Sequence, residues 1–180
     1  MIELTKNTHW TADPAHSEIS FVVRHAGISK VRGNFTSFSA QSTVDESGKV
    51  SNDSKAVVDL SSINTGNEDR DAHLRTSEFF DIERFPEATF TNISMRGYEF
   101  EGDLTIRGVT KRVTFKVLES ANGVDQYGNK RIGVEAKTEI LRSEFGLNWN
   151  SVLDTGGVLV SDKVTIELDL SFVQSTPEAE

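Results

Sequence analysis

The chain predicts an all-β domain, either a closed barrel or a sandwich. Three observations lead there: apolar residues recur with period two, turn chemistry separates the runs, and no alternating helices are available to flank a parallel sheet. The 180 residues, 36% apolar and 26% charged, fit one domain over 1–173 and a disordered polar tail over 174–180. Folding a chain of this size removes roughly 70% of its extended surface from water, so no covalent staple is required. The absence of Cys agrees, and excludes a disulfide framework and thiolate chemistry.

The elements follow in chain order. Ile19, Phe21 and Val23 share one face of a strand, and Phe38, Ala40, Ser42 and Val44 lead into the turn Asp45-Glu46-Ser47-Gly48. Strands are expected over 56–60 and 88–95. Tyr98, Phe100, Leu104 and Ile106 keep one phase, and Val113, Phe115 and Val117 alternate with Thr114 and Lys116. Ile132, Val134, Ala136, Thr138 and Ile140 alternate with charged or small residues. The clearest pattern is last: Val164, Ile166, Leu168, Leu170 and Phe172 against Lys163, Thr165, Glu167, Asp169 and Ser171. That makes about eight strands joined mostly by tight turns. Phe35 and Phe38 lie three apart, as do Phe90 and Ile93, so bulges are expected at both places; bulges let a sheet bend enough to close.

One segment departs from the β pattern. Thr65-Gly66-Asn67-Glu68 fits a capping box, with Thr65 as N-cap, and predicts a short helix over 66–75 in the longest non-β connection. Ser77-Glu78-Phe79-Phe80-Asp81-Ile82 and Phe85-Pro86 follow, too aromatic for a simple solvated loop. Such a segment could cover a barrel mouth.

Charge bounds the partners: 19 Lys and Arg against 28 Asp and Glu give −9 at pH 7, with no basic block. The net field repels phosphate backbones and anionic headgroups, which argues against nucleic acid and peripheral membrane roles. No apolar run approaches the roughly 20 residues of a membrane span, so stable membrane insertion is not expected. The first fourteen residues carry no export signal, which points to the cytoplasm. Without export, the sequons at Asn34, Asn52 and Asn92 carry no meaning.

Signatures of the common hydrolases, nucleotide-binding proteins and zinc enzymes are missing. Asp13, His16 and Ser17 supply triad-type residues within five positions, yet such a cluster arises readily in fixing the start of a strand. Asp71-x-His73 with His25 could ligate a metal, but the spacing identifies none, and a hydrogen-bond network explains the same residues; no metal is expected. His25 continues the phase of Ile19, Phe21 and Val23. It is therefore expected to point inward at a strand end, paired with a carboxylate such as Asp71 or anchoring the head of an apolar ligand. Asp71 and Arg75 have the spacing of an i,i+4 ion pair. Phe79, Phe80 and Phe85 read first as packing.

The order Trp10, Asp13, His16-Ser17, Phe21, His25, Gly33-x-Phe35, Thr65, Arg70-Asp71-x-His73-Leu74, Phe79-Phe80-Asp81, Phe85-Pro86 and Phe90 is distinctive as a set. With Gly102-x-Leu104-x-Ile106-x-Gly108-Val109-Thr110, Gly133 and Arg142-x-x-Phe145-Gly146, it resembles the bacterial YceI family over nearly the whole chain. The resemblance implies an extended eight-stranded antiparallel β-barrel, lipocalin-like, whose tunnel carries or sequesters a long-chain isoprenoid lipid or isoprenoid quinone. It implies no catalytic residue and no required cofactor beyond that ligand. The ligand-binding residues it suggests are His25, Arg70, Asp71 and His73 near a polar head, with Phe21, Phe35, Leu74, Phe79, Phe80, Phe90, Phe115 and Trp149 along the apolar part. Small inward candidates, Ala40, Ser42, Ala136 and Thr138, leave room in the lumen, and Phe21, Phe115 and Phe172 would line its walls. Two other classes stay open: an enzyme using histidine and aspartate as acid and base on such a lipid, and an interaction protein with a filled barrel. A homodimer is compatible with all three.

Overall fold

In the computed structural model, which describes residues 4–175, the sheet closes on itself, so the barrel is realised and the sandwich is not. The first strand is split into β1 (Thr8–Ala12) and β2 (Glu18–His25), the second into β3 (Ser29–Phe35) and β4 (Phe38–Val44), the third into β5 (Lys55–Asp59) and β6 (Ile63–Asn64). Helix α1 (Glu68–Arg75) follows. Then come five unbroken strands: β7 (Glu87–Arg96), β8 (Glu99–Ile106), β9 (Val109–Val124), β10 (Lys130–Leu141) and β11 (Val160–Ser175). Each strand is antiparallel to its neighbours, and β11 closes the ring by pairing with β10 on one edge and with β2 and β1 on the other. Eight expected strands thus become eleven segments. At 16 residues, β11 spans roughly 50 Å.

Each break has a local chemical cause. Pro14 cannot donate to a ladder and opens a 3-10 turn capped by Asp13, whose side chain accepts from Ala15 N at 3.1 Å. The ladder is completed by a side chain: Ser17 Oγ accepts from Ser171 N at 2.9 Å. His16 and Arg131 hold Asp13, and the triad-type cluster serves as a strand splice. The expected irregularity after Phe35 is the gap between β3 and β4, where Ser62 Oγ accepts from Ser37 N at 3.0 Å. Near Phe90 the register with β8 slips between Thr91 and Ser94, and Asn92 adopts φ 50° in the bulge.

Three sequence expectations need correction. The helix begins at Glu68 and its cap is Asn67, whose side chain accepts from Arg70 N at 2.9 Å. Thr65 stands too far back, beyond a left-handed Gly66, and its hydroxyl bonds Asp71 instead. Asp71 and Arg75 do not pair: Arg75 reaches across to Ser61 O and Ile63 O, fixing the helix to the barrel rim. Finally, Gln174 and Ser175 are not tail residues, because they pair with Trp10 and His9 of β1; the backbone ladder extends the strand past its last apolar residue. Residues 176–180 lie outside the described residues.

Two glycines set how closely the aromatic rings approach the wall. A Cβ on Gly33 would stand 2.4 Å from Phe21 Cζ, and one on Gly102 would stand 2.5 Å from Phe90 Cζ and 2.8 Å from the Thr91 carbonyl. At the end of the barrel opposite α1, Arg131 donates to Asp125 at 2.8 Å and to Asp13 at 2.9 Å. The guanidinium holds both carboxyls below the ordinary aspartate range.

Gly102→Ala should lower stability by about 1–3 kcal/mol, read as an earlier urea midpoint, since neither the Phe90 ring nor the Thr91 backbone can withdraw freely. The Arg131 network should also shape acid unfolding. A carboxyl depressed in the fold stabilises it above the unfolded value, near pH 3.9, and that contribution is lost as pH falls through the lower folded values. Arg131→Met should therefore flatten the stability profile below about pH 4, which a series of denaturation curves against pH would show.

Candidate ligand-binding site

Because β-strand side chains alternate, closing the ring gathers one apolar face from every strand into a single lumen. The lumen is not filled. A cavity of about 320 Å³ runs from Leu4, Trp10 and Ile132 at the end where the chain begins to Phe79, Leu147 and Val160 beneath α1. That volume lies near the lower bound of small-ligand pockets, about 300 Å³, and its lining reaches both ends of the barrel. Of the polar lining side chains, Ser20, Gln41, Ser42, Lys55 and Arg142, only two are charged.

The walls differ in how firmly they are packed. On the β8–β9 side, Phe115 stacks on Phe100 with ring centres 5.0 Å apart and meets Phe90 edge-on at 5.5 Å, leaving Phe115 only 4% exposed. Leu104, Ile106 and Phe145 pack into the same cluster. On the β2, β5 and β11 side, Phe21, Val58, Ile166 and Leu168 are half-buried and face the cavity. Ala40 and Ser42 open onto it as expected, whereas Ala136 is covered within the core cluster and Thr138 donates to Thr114 O.

Most of the sequence-derived apolar site is assembled. Phe21, Phe35, Leu74, Phe79, Phe80, Phe90 and Phe115 all line the lumen, with Phe35 linking Phe21 at 5.7 Å to Phe80 at 6.2 Å. Trp149 is not among the lining residues; it packs against Phe79 at 5.3 Å and edge-on to His73 at 4.8 Å. It acts as a latch between α1 and the segment after β10.

The polar head group of residues is not assembled. His25 keeps the inward phase of β2, but it is the last residue of that strand, where the wall ends, and its side chain is exposed at the rim. Asp71 is buried and accepts from Thr65 N at 2.9 Å and Thr65 Oγ1 at 2.5 Å, with no bond to His25. Arg70 donates to the same Thr65 through Nε and Nη2, both at 2.7 Å. The Thr65–Arg70–Asp71 network pins the start of the helix. His73 binds Glu78 and the two aromatic rings, outside the lumen. Among the described residues no three His, Asp or Glu side chains are arranged to hold a metal ion.

Sequence reasoning missed Arg142 as a tunnel residue. It lines the cavity at 6% exposure and donates to four carbonyls: Ser161 at 2.9 Å, Leu147 at 2.6 Å, Trp149 at 2.9 Å and Val160 at 3.1 Å. Burial pushes its pKa down, and nearby Asp162, held by Ser143 N and Oγ, opposes that shift. Arg142 thus ties both sides of the 142–160 connection together. Phe145 plugs the core beside it and Gly146 turns the chain at φ 74°. The Arg142-x-x-Phe145-Gly146 spacing was visible; its meaning needed the carbonyls.

Residues 10–172 match the family described as the YceI-like domain, nearly the whole described chain. The chain belongs to the YceI-like family. A UPF0312 protein of Staphylococcus aureus strain USA300 is 36% identical over 168 residues, covering 92% of this chain and 97% of that protein. Among solved structures, Burkholderia cenocepacia BcnA superposes with a TM-score of 0.68 at 26% identity, over 89% of this chain and 98% of that one. A polyisoprenoid binding domain from Saccharophagus degradans, implicated in plant cell wall breakdown, shares the fold at TM-score 0.64 and 17% identity, over 92% and 98%. The YceI-like barrel is therefore common to chains that share little sequence, and its open lumen is where this chain's apolar side chains converge.

The two walls should respond differently to added volume. Ile166→Trp should cut uptake of an environment-sensitive apolar dye several-fold with a stability change under about 1.5 kcal/mol, because the cavity accepts the indole. Phe115→Trp, between Phe90 and Phe100, should instead cost about 1–3 kcal/mol in a denaturation curve.

Proposed function

We propose that this YceI-like protein carries or sequesters one long-chain isoprenoid lipid or isoprenoid quinone in its tunnel, as a binder without catalysis or a required cofactor. The observation that carries the reading is the continuous apolar lumen: slender, about 320 Å³, and lined by apolar side chains except at five positions. A branched hydrocarbon chain matches that shape and chemistry, and a water column does not. The Saccharophagus degradans domain of the same fold is named for polyisoprenoid binding, which supports the same ligand class here.

The acid–base alternative finds no support in the geometry. His25 stands at the rim, Asp71 is saturated by Thr65, and His73 faces Glu78, so the groups do not converge on one point of the lumen. The cavity of about 320 Å³ supports an open lumen over a filled barrel.

Each buried CH₂ is worth about 0.8 kcal/mol, so a chain of roughly eight isoprene units would nominally exceed the ceiling near −20 kcal/mol. Ordering of the chain, and its preference for a bilayer, offset most of that sum. Cargo can therefore exchange.

Gentle purification, organic extraction and mass spectrometry should return a long-chain isoprenoid at substantial occupancy. A lipid-free extract from folded protein, together with failure to take up an added polyprenol, would overturn the reading.

A further inference from the structure

The exposed apolar residues at the α1 end concentrate on two turns. Ile28 is 84% exposed at the tip between β2 and β3, and Val152 is 81% and Val158 49% exposed on the hairpin between β10 and β11. The turns are joined: Ala26 N donates to Leu159 O at 2.7 Å, and Val160 pairs with His25. Both adjoin the lumen, since Val23 and Val160, each a few residues from a tip, line the cavity. Left-handed Ala26, Gly27, Gly156 and Gly157 make the tips tight, so the side chains project from turns and not from a packed surface.

Charge along the β2–β3 hairpin reverses the sign of the whole chain. From Ile19 to Val44 there is no acidic residue, while Arg24, Lys30 and Arg32 are present and exposed. Glu167, on β11, faces Arg32 at 3.4 Å; the second turn carries Asp154, and exposed Asp162 and Lys163 follow it at the start of β11. The connection 65–86, which reaches across the mouth so that Arg107 donates to Phe79 O, has six acidic residues against three arginines. The rim is thus divided: apolar and basic on the β2–β3 side, acidic over α1.

We propose that the Ile28 and Val152–Val158 tips dock this end of the barrel on an anionic lipid bilayer, edge-on, with Arg24 and Lys30 against the headgroups and the α1 side tilted away. Exposed apolar tips flanked by cations are the features that interfacial anchors combine. The inference rests on the lipid-carrier reading, to which it adds a route: a cargo with a long hydrocarbon chain passes between bilayer and lumen without crossing water. It also limits what the net charge of −9 implies, because over a Debye length of about 8 Å the surface responds to the local tips and not to the total.

The test is flotation of the purified protein with phosphatidylcholine vesicles, with and without phosphatidylglycerol. Wild type should float with the phosphatidylglycerol vesicles and release as salt rises. Ile28→Asp combined with Val152→Asp should abolish flotation, and Arg24→Gln or Lys30→Gln should each weaken it about fivefold, the effect of one cation near an anionic surface. These positions are exposed, so folding should persist, checked by circular dichroism. Lipid extracted from each variant separates the two readings: wild-type occupancy with lost flotation supports docking, and flotation by a lipid-free protein that also fails to take up added polyprenol overturns the carrier reading alone. No flotation of wild type, or flotation unaffected by the paired substitution, overturns the docking proposal.

Discussion

β11 is hydrogen-bonded along both edges, to β10 over its length and to β2 and β1 in succession. That double pairing closes the ring through β1, β4, β5 and β7 to β10, with β2, β3 and β6 continuing from the other stretch of β11, and the lumen depends on it. With the ring closed, residues that alternate inward have no outlet to solvent, so their apolar character becomes a tunnel wall. With the ring open, the same residues would need a second sheet or a helix layer to cover them.

The breaks in the first three strands follow from this constraint. A ring of long, strongly twisted strands cannot keep one regular ladder on its tightly curved side, and the structure substitutes side-chain hydroxyls for backbone groups where the ladder fails. Ser17 and Ser62 serve that purpose, and Asp13 and Asp59 cap the intervening turns. Hydroxyls and short carboxyls fit because they reach a neighbouring amide without filling the lumen.

The regular half of the barrel was legible from alternation, because β8 to β11 carry apolar residues at period two between clear turns and the one phase break in β7 marks its bulge. β1, β3 and β6 were not, for a physical reason: their inward positions include Gly33 in place of a bulky side chain, and they are short segments separated by Pro14, Ser37 and the turn at Leu60–Ser62. The aromatic wall could be named residue by residue because large apolar side chains in a β protein face the interior. The polar head could not, since whether Asp71 meets a ligand or Thr65 depends on the turn at Gly66, five residues away. Arg142 escaped for the same reason; a cation satisfied by four backbone carbonyls leaves no partner signal in sequence.

The close approach of Phe21 to Gly33 and of Phe90 to Gly102 bears on how the bore of this tunnel could change. Each ring lies where its partner strand has no side chain, so ring and glycine together occupy one residue's width of wall. Calibre is then a property of the pair. A smaller residue at Phe21 or Phe90 would widen the lumen locally; at Gly33 it would remove the ring that a side chain meets, whereas at Gly102 the Thr91 carbonyl would still stand 2.8 Å from a Cβ. A larger residue at either glycine alone would push the ring across the passage. The bore is therefore adjustable by compensating exchanges at Phe21 and Gly33, with the strand register and the closure at β11 left untouched.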